Sequence, residues 1–218
     1  MKHFYIKYLL KNWMVRASIL AALFYSSWPL GYLLDPVVEK TALASELQAL
    51  HRPYNWVFIL SDVVTGVICL LIGFWQLQKK PKGLIRVVIL CLLGFGALVA
   101  VAALTPLSCE PGTPACSASI HNYRLVAHGF ASIVSVTLLF ISLAAASLCL
   151  HKTKLVGKVG LIVHALIIAW IFFAVGSILE IIFHIHGNLL QHYFISICSL
   201  SIVTIVATIE LYLQRYYL

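Results

Sequence analysis

The sequence predicts an all-α polytopic membrane bundle of six transmembrane helices, forming a single integral membrane domain over residues 1–218. Three observations carry that reading. Of the 218 residues, 62% are hydrophobic and only 10% are charged, a balance foreign to ordinary water-exposed domains. The apolar residues gather into six runs that approach or exceed the ~18–20 residues a helix needs to cross the hydrocarbon. The charged residues gather between the runs, and Trp13, Trp28, Trp56, Trp75, Tyr212, Tyr216 and Tyr217 lie near run ends, as interfacial aromatics do.

The first span, about residues 17–34, follows the basic, aromatic segment "MKHFYIKYLLKNWMVR" and stops at Asp35-Pro36. "SSWPLGYLLDP" offers no small-x-small cleavage pattern, so the run reads as a retained span rather than a secretory signal. The loop 35–53 is the longest, and "EKTALASELQALH" within it has the pattern of a short amphipathic helix lying at the outer surface. The second span, 54–77, is stopped by "QKKPKG", and the third, 84–104, by Thr105-Pro106. The fourth runs over 123–150, the fifth over 159–183 and the sixth over 192–213. Such runs cross as helices, because the backbone has to satisfy its own hydrogen bonds inside lipid.

Orientation follows from the basic residues. Twelve of them (Lys2, Lys7, Lys11, Arg16, Lys79, Lys80, Lys82, Arg86, Lys152, Lys154, Lys158 and Arg215) fall on one side, and three (Lys40, Arg52 and Arg124) on the other. The positive-inside bias predicts both termini in the cytoplasm of a multi-pass protein of the cytoplasmic (inner) membrane. The net charge of +8 is spent on topology, so nucleic acid is not an expected partner. On the same topology Cys109 and Cys116 face an oxidising compartment, flanking a Pro/Gly turn short enough for their sulfurs to meet. A disulfide is the expectation, with two free thiols as the alternative. Cys69, Cys91, Cys149 and Cys198 lie in the spans and read as small apolar packing residues.

The functional question is set by the ionisable residues inside the apolar runs. A charge there is costly, turns toward protein or water, and marks a site by default. Asp62 lies in the second span, roughly 10 Å below the outer surface at 1.5 Å per residue. Arg124, His128, Ser132 and Ser135 recur at spacings of four, four and three, which places them on one face of the fourth helix. Ser177, Glu180 and His184 end the fifth, followed by "HIHGNLLQHY" with His186, Gln191 and His192. All converge on the outer third of the bundle. The inner half holds only His164 and Glu210. Each also has a plain reading: Asp62 paired to Arg124, Glu180 snorkelling to water, serines and Gly66, Gly73, Gly94 and Gly96 packing helices closely.

Four segments carry a family likeness: "HRPYNWVFILSDVVTG" into span two, "LTPLSCEPGTPAC" after span three, "HNYRLVAHGFASIVS" into span four and "GNLLQHYFISI" into span six. In order and spacing the chain resembles a family of six-span bacterial membrane proteins, the domain-of-unknown-function family nine-nine-eight. Where members often have Arg after the Gln, this chain has His192. The resemblance implies the six-span fold, draws interest to Asp62, Cys109, Cys116, His128, Gly187 and Gln191, and implies no activity.

The expected function is an outward-facing polar pocket that binds a membrane lipid or small amphiphile through Asp62, Arg124, His128, Ser132, Glu180 and Gln191. One alternative is a metal-dependent hydrolase acting on lipids, its zinc site of three histidines, or of two histidines and an acid, drawn from Asp62, His128 and two of His184, His186 and His192. Another is an accessory subunit docking a membrane protein partner. Haem ligation by His128 and His164 fits poorly, since the two lie at opposite depths.

Overall fold

The computed structural model describes residues 11–34, 44–108, 123–152, 158–183 and 189–217. Among the described residues every regular element is helical. Six helices are long and apolar enough to cross a membrane. Helix α1 spans Trp13–Tyr25 and continues through a 3-10 turn at Trp28–Leu30 and a last turn at Gly31–Leu34. The others are α2 at Asn55–Gln78, α3 at Leu84–Leu104, α4 at Tyr123–Lys152, α5 at Lys158–Phe183 and α6 at Leu189–Tyr217. Their bounds follow local chemistry. Asn12 caps α1, its side-chain oxygen accepting from the Met14 amide at 2.8 Å. Lys79, Lys80 and Pro81 end α2, and Gly83, at φ +68°, makes the left-handed turn into α3.

The helices meet in the ring order α1, α2, α3, α4, α6 and back to α1, while α5 packs outside against α4 and α6. Their directions alternate, which gives the bundle two ends: one where Asn12, Gln76 and Glu210 meet, the other holding Asp62 and His128. The core between them is aliphatic, built on Ile72, Ile89, Leu92, Phe95, Leu139 and Ile205, all fully buried. Tyr25 meets Phe95 edge to face at 5.6 Å. Helix α5 instead shows Leu161, Ile168, Phe172 and Ile178 outward.

The glycines expected to bring helices together do so. A Cβ on Gly66 would lie 2.5 Å from the Gly96 carbonyl oxygen, and one on Gly96 would lie 2.7 Å from that of Gly66, so α2 and α3 cross backbone to backbone. Gly73 receives Leu93, and Gly94 receives Leu138. Hydroxyls bridge other pairs: Thr65 to the Ala21 carbonyl at 3.1 Å, Ser142 to the Val88 carbonyl at 2.9 Å and Ser26 to Ser199 at 2.7 Å.

One expectation fails locally. The described part of the first loop does not form an amphipathic helix on the surface. Ala44–Gln48 is a 3-10 turn that tucks into the bundle. Leu47 packs with Phe58, Trp28 and Tyr32, and its methyls occupy the space in front of Gly31. The Leu50 amide donates to the Leu107 carbonyl at 2.9 Å. Burial of Leu47 and Ala49 favours the inward position over an interfacial one.

Candidate functional site

The polar residues of α2 and α4 open onto one cavity of about 360 Å³. Its walls come from the end of α1 (Tyr25, Ser27, Trp28), the tucked turn (Ser45, Gln48), α2 (Phe58, Asp62), α3 (Val99, Ala102), α4 and α6. On α4 the line runs Leu125, His128, Gly129, Ser132, Ser135 and Val136. These positions recur every three or four residues, so one helical face supplies both polar and apolar wall. On α6 Gln191, Phe194 and Ile195 close the side.

Asp62 is half-buried, and its Oδ2 accepts a 2.6 Å hydrogen bond from Gln48 Nε2. Gln48 is 6% exposed, and its own Oε1, also buried, has no hydrogen-bond partner. An orphaned buried amide oxygen costs about 1–3 kcal/mol. His128 is buried, and its Nδ1 lies 2.9 Å from the Ala102 carbonyl. A carbonyl only accepts, so Nδ1 carries the proton, and Nε2 of the neutral ring is left as an acceptor. That bond also serves one of the unsatisfied carbonyls at the C-terminus of α3, which Thr105 shares through its amide and hydroxyl. Ser135 donates to the Ser132 carbonyl at 2.8 Å, whereas the Ser132 hydroxyl makes no hydrogen bond within the described protein.

Of the six residues expected to bind a ligand, the structure brings four to the cavity: Asp62, His128, Ser132 and Gln191. Arg124 lies outside the lining. Its guanidinium sits 5.9 Å from the centre of the Tyr123 ring, and its Nε donates to the Tyr123 hydroxyl at 3.3 Å. The alternative Asp62–Arg124 pairing is therefore replaced by Asp62–Gln48. Glu180 falls in the last turns of α5, with its side chain outside the description, and α5 supplies no described residue to the wall.

Of the expected metal ligands, His184 and His186 lie outside the described residues. His192 is buried behind the cavity wall, its ring 4.5 Å from that of Trp28. Among the described residues no three His, Cys, Asp or Glu side chains come together as a metal site would require. Cys109 and Cys116 also lie outside the described residues, while Cys69, Cys91, Cys149 and Cys198 lie within the helices and form no disulfide among the described residues.

Sequence reasoning missed Gln48, Trp28 and Tyr25. Gln48 was unreadable because it is a polar residue in a polar-looking loop, and only the inward tuck of that loop gives it a role. Trp28 looked like an interfacial aromatic by position. The opposite end was undervalued too: Glu210 is buried, accepts from the side-chain amides of Asn12 and Gln76, and stands 3.9 Å from Lys79 Nζ.

A family profile described as protein of unknown function (DUF998) matches residues 18–207. No curated protein and no solved structure matches the chain.

Proposed function

Since the chain belongs to the DUF998 family of proteins of unknown function, we propose its role from its own cavity: it binds a membrane lipid or small amphiphile. The polar part rests among Asp62, Gln48, His128 and Ser132, and the apolar tail lies along Phe194, Ile195, Ile133 and Val136. The observation that carries this reading is the Asp62 carboxylate, held by Gln48 through one oxygen, opening with His128 and Ser132 onto a space of about 360 Å³ whose other wall is apolar. Unmet hydrogen-bonding groups on one side of a cavity and apolar side chains on the other suit a molecule of the same two-part character.

Access is part of the proposal. Ile133 lines the cavity yet is 68% exposed on the outer surface of α4. Beside it, a Cβ placed on Gly129 would meet nothing within 4 Å. Both features favour a sideways opening next to α4, through which a ligand arrives from the bilayer. The bias of basic residues toward the Glu210 end favours the cytoplasm on that side and the cavity in the outer leaflet.

The test is native mass spectrometry of gently extracted protein. The wild-type chain is expected to hold one amphiphile per copy, and Ser132→Phe, which fills the wall, to lose it while remaining folded. Identical adducts on both proteins would overturn the reading.

A further inference from the structure

We propose that the ligand's polar head is a hydrogen-bond donor bearing positive charge, a primary ammonium rather than a phosphate or carboxylate. The inference rests on the amphiphile reading above and specifies its chemistry. The cavity is unbalanced in one direction. Among the described residues its lining includes a carboxylate, Asp62, and neither Lys nor Arg. Arg52 and Arg124 stand at the same end of the bundle and line no part of it.

The hydrogen-bonding inventory points the same way. Asp62 Oδ2 takes one hydrogen bond, from Gln48, and its other oxygen takes none from the described protein. Gln48 Oε1 accepts nothing among the described residues, but it is closed off from the cavity and meets a ligand only if the side chain turns. His128 donates through Nδ1 to Ala102, which leaves Nε2 an acceptor. Ser132 can turn its hydroxyl to accept as well. Among the described residues the donors that face these acceptors are uncharged: the buried Trp28 indole N–H has no partner, and the Tyr25 and Ser132 hydroxyls, which line the cavity and donate to no described residue, can also accept.

An anionic head placed here would face a carboxylate with no Lys or Arg among the described lining residues to offset it, in a setting where water screens poorly. A polyol head would satisfy the acceptors and leave the charge uncompensated. An ammonium does both: its N–H groups can donate to Asp62 and to the acceptors beside it, His128 Nε2 and Ser132, while its charge balances Asp62. The apolar wall of Phe194, Ile195 and Val136 then demands a chain on the same molecule.

The experiment uses the full chain in phosphatidylcholine nanodiscs, whose lipid head offers no N–H or O–H donor. Binding of dodecylammonium, dodecanoate and butylammonium is titrated and corrected against empty nanodiscs. Dodecylammonium is expected to saturate at one per chain and to bind at least about tenfold more tightly than dodecanoate, a difference of roughly 1.4 kcal/mol. Butylammonium is expected to bind at least about tenfold more weakly than dodecylammonium, given the buried methylenes it lacks. Asp62→Asn should abolish the preference for the cation. Gln48→Lys, which puts an ammonium of the protein's own beside Asp62, should reverse it toward dodecanoate; general damage to the fold would weaken both probes alike. Dodecanoate binding as tightly as dodecylammonium overturns the head-group assignment and leaves the amphiphile reading intact. Butylammonium matching dodecylammonium overturns the amphiphile reading and leaves the head group. No saturable binding of any probe overturns both.

Discussion

Glu210 and Asp62 are two carboxylates embedded near opposite ends of the same helix bundle, and the protein surrounds them differently. Glu210 collects side-chain amide donors from Asn12 on α1 and Gln76 on α2, with Lys79 at 3.9 Å. It is 4% exposed and ties three helices together. Asp62 collects one donor, from Gln48 on a loop, and faces open space. At the Glu210 end the anion is met from within the chain, with Gln76 Oε1 left over in close packing. At the Asp62 end the acceptors remain unmet where a molecule has room to sit. An embedded acid is a lock when its partners are built in, and a recognition group when they are left to a visitor.

The largest expected effect comes from a change that breaks both ends together. Helix α2 carries Asp62 and Gln76, and its course is set where Gly66 crosses Gly96. A side chain at Gly66 would meet the Gly96 carbonyl oxygen at 2.5 Å and the Ala100 amide nitrogen at 3.1 Å, both backbone atoms unable to swing away. Gly66→Val is expected to cost about 3 kcal/mol or more, seen as a large fall in thermal unfolding temperature or loss of the monodisperse species in detergent. Gly129→Ala, where the new Cβ meets nothing, is expected to stay within about 0.5 kcal/mol of wild type. Similar behaviour of the two variants would remove the α2–α3 crossing as the common support of both ends.

Next in size is Glu210→Ala. It strands the fully buried amide of Gln76, at about 1–3 kcal/mol, and takes the acceptor from the half-buried amide of Asn12 at a smaller cost. The unfolding temperature should fall sharply, and any protein that remains folded should still bind the cationic amphiphile at the far end. Glu210→Gln, which retains an acceptor oxygen, should recover part of the loss. Asp62→Asn is expected to reverse the pattern: stability changes by less than about 1 kcal/mol, while binding of dodecylammonium falls about tenfold or more. If Asp62→Asn unfolds the protein as readily as Glu210→Ala does, both acids are locks and the contrast is lost.

The uneven legibility of the two ends has a physical cause. The six spans were readable because lipid enforces long apolar runs, and the helices begin and end within a few residues of the runs. The crossing glycines were readable because a missing side chain inside a span has few uses. Asp62, His128, Ser132 and Gln191 were readable as polar residues where polarity is costly. Arg124 shared their helical spacing but sits in the first turn of α4, within reach of the Tyr123 ring, so periodicity placed it on the right face without bringing it to the cavity. Glu210 seemed to lack company because its donors are amides 134 and 198 residues away in sequence. Gln48 was hidden for a different reason: its place depends on how a loop folds back, and no period in the sequence records that.

The smallest effect offers the finest test. Ser132 and Ser135 both line the cavity from α4, one turn apart. The Ser135 hydroxyl donates its hydrogen bond to the Ser132 carbonyl at 2.8 Å, while the Ser132 hydroxyl has no partner in the described protein. If what matters at this end is the unmet group, the two should differ despite their identical chemistry. Ser132→Ala is expected to leave stability within about 0.5 kcal/mol and to weaken amphiphile binding about two- to fivefold, the worth of one hydrogen bond at roughly 0.5–1 kcal/mol. Ser135→Ala removes a hydroxyl already satisfied by its own helix and should leave binding unchanged within error. Both are read by the same titration in nanodiscs and by thermal unfolding. Equal losses from the two would mean that position along α4, and not the unmet hydrogen bond, decides what a wall residue does.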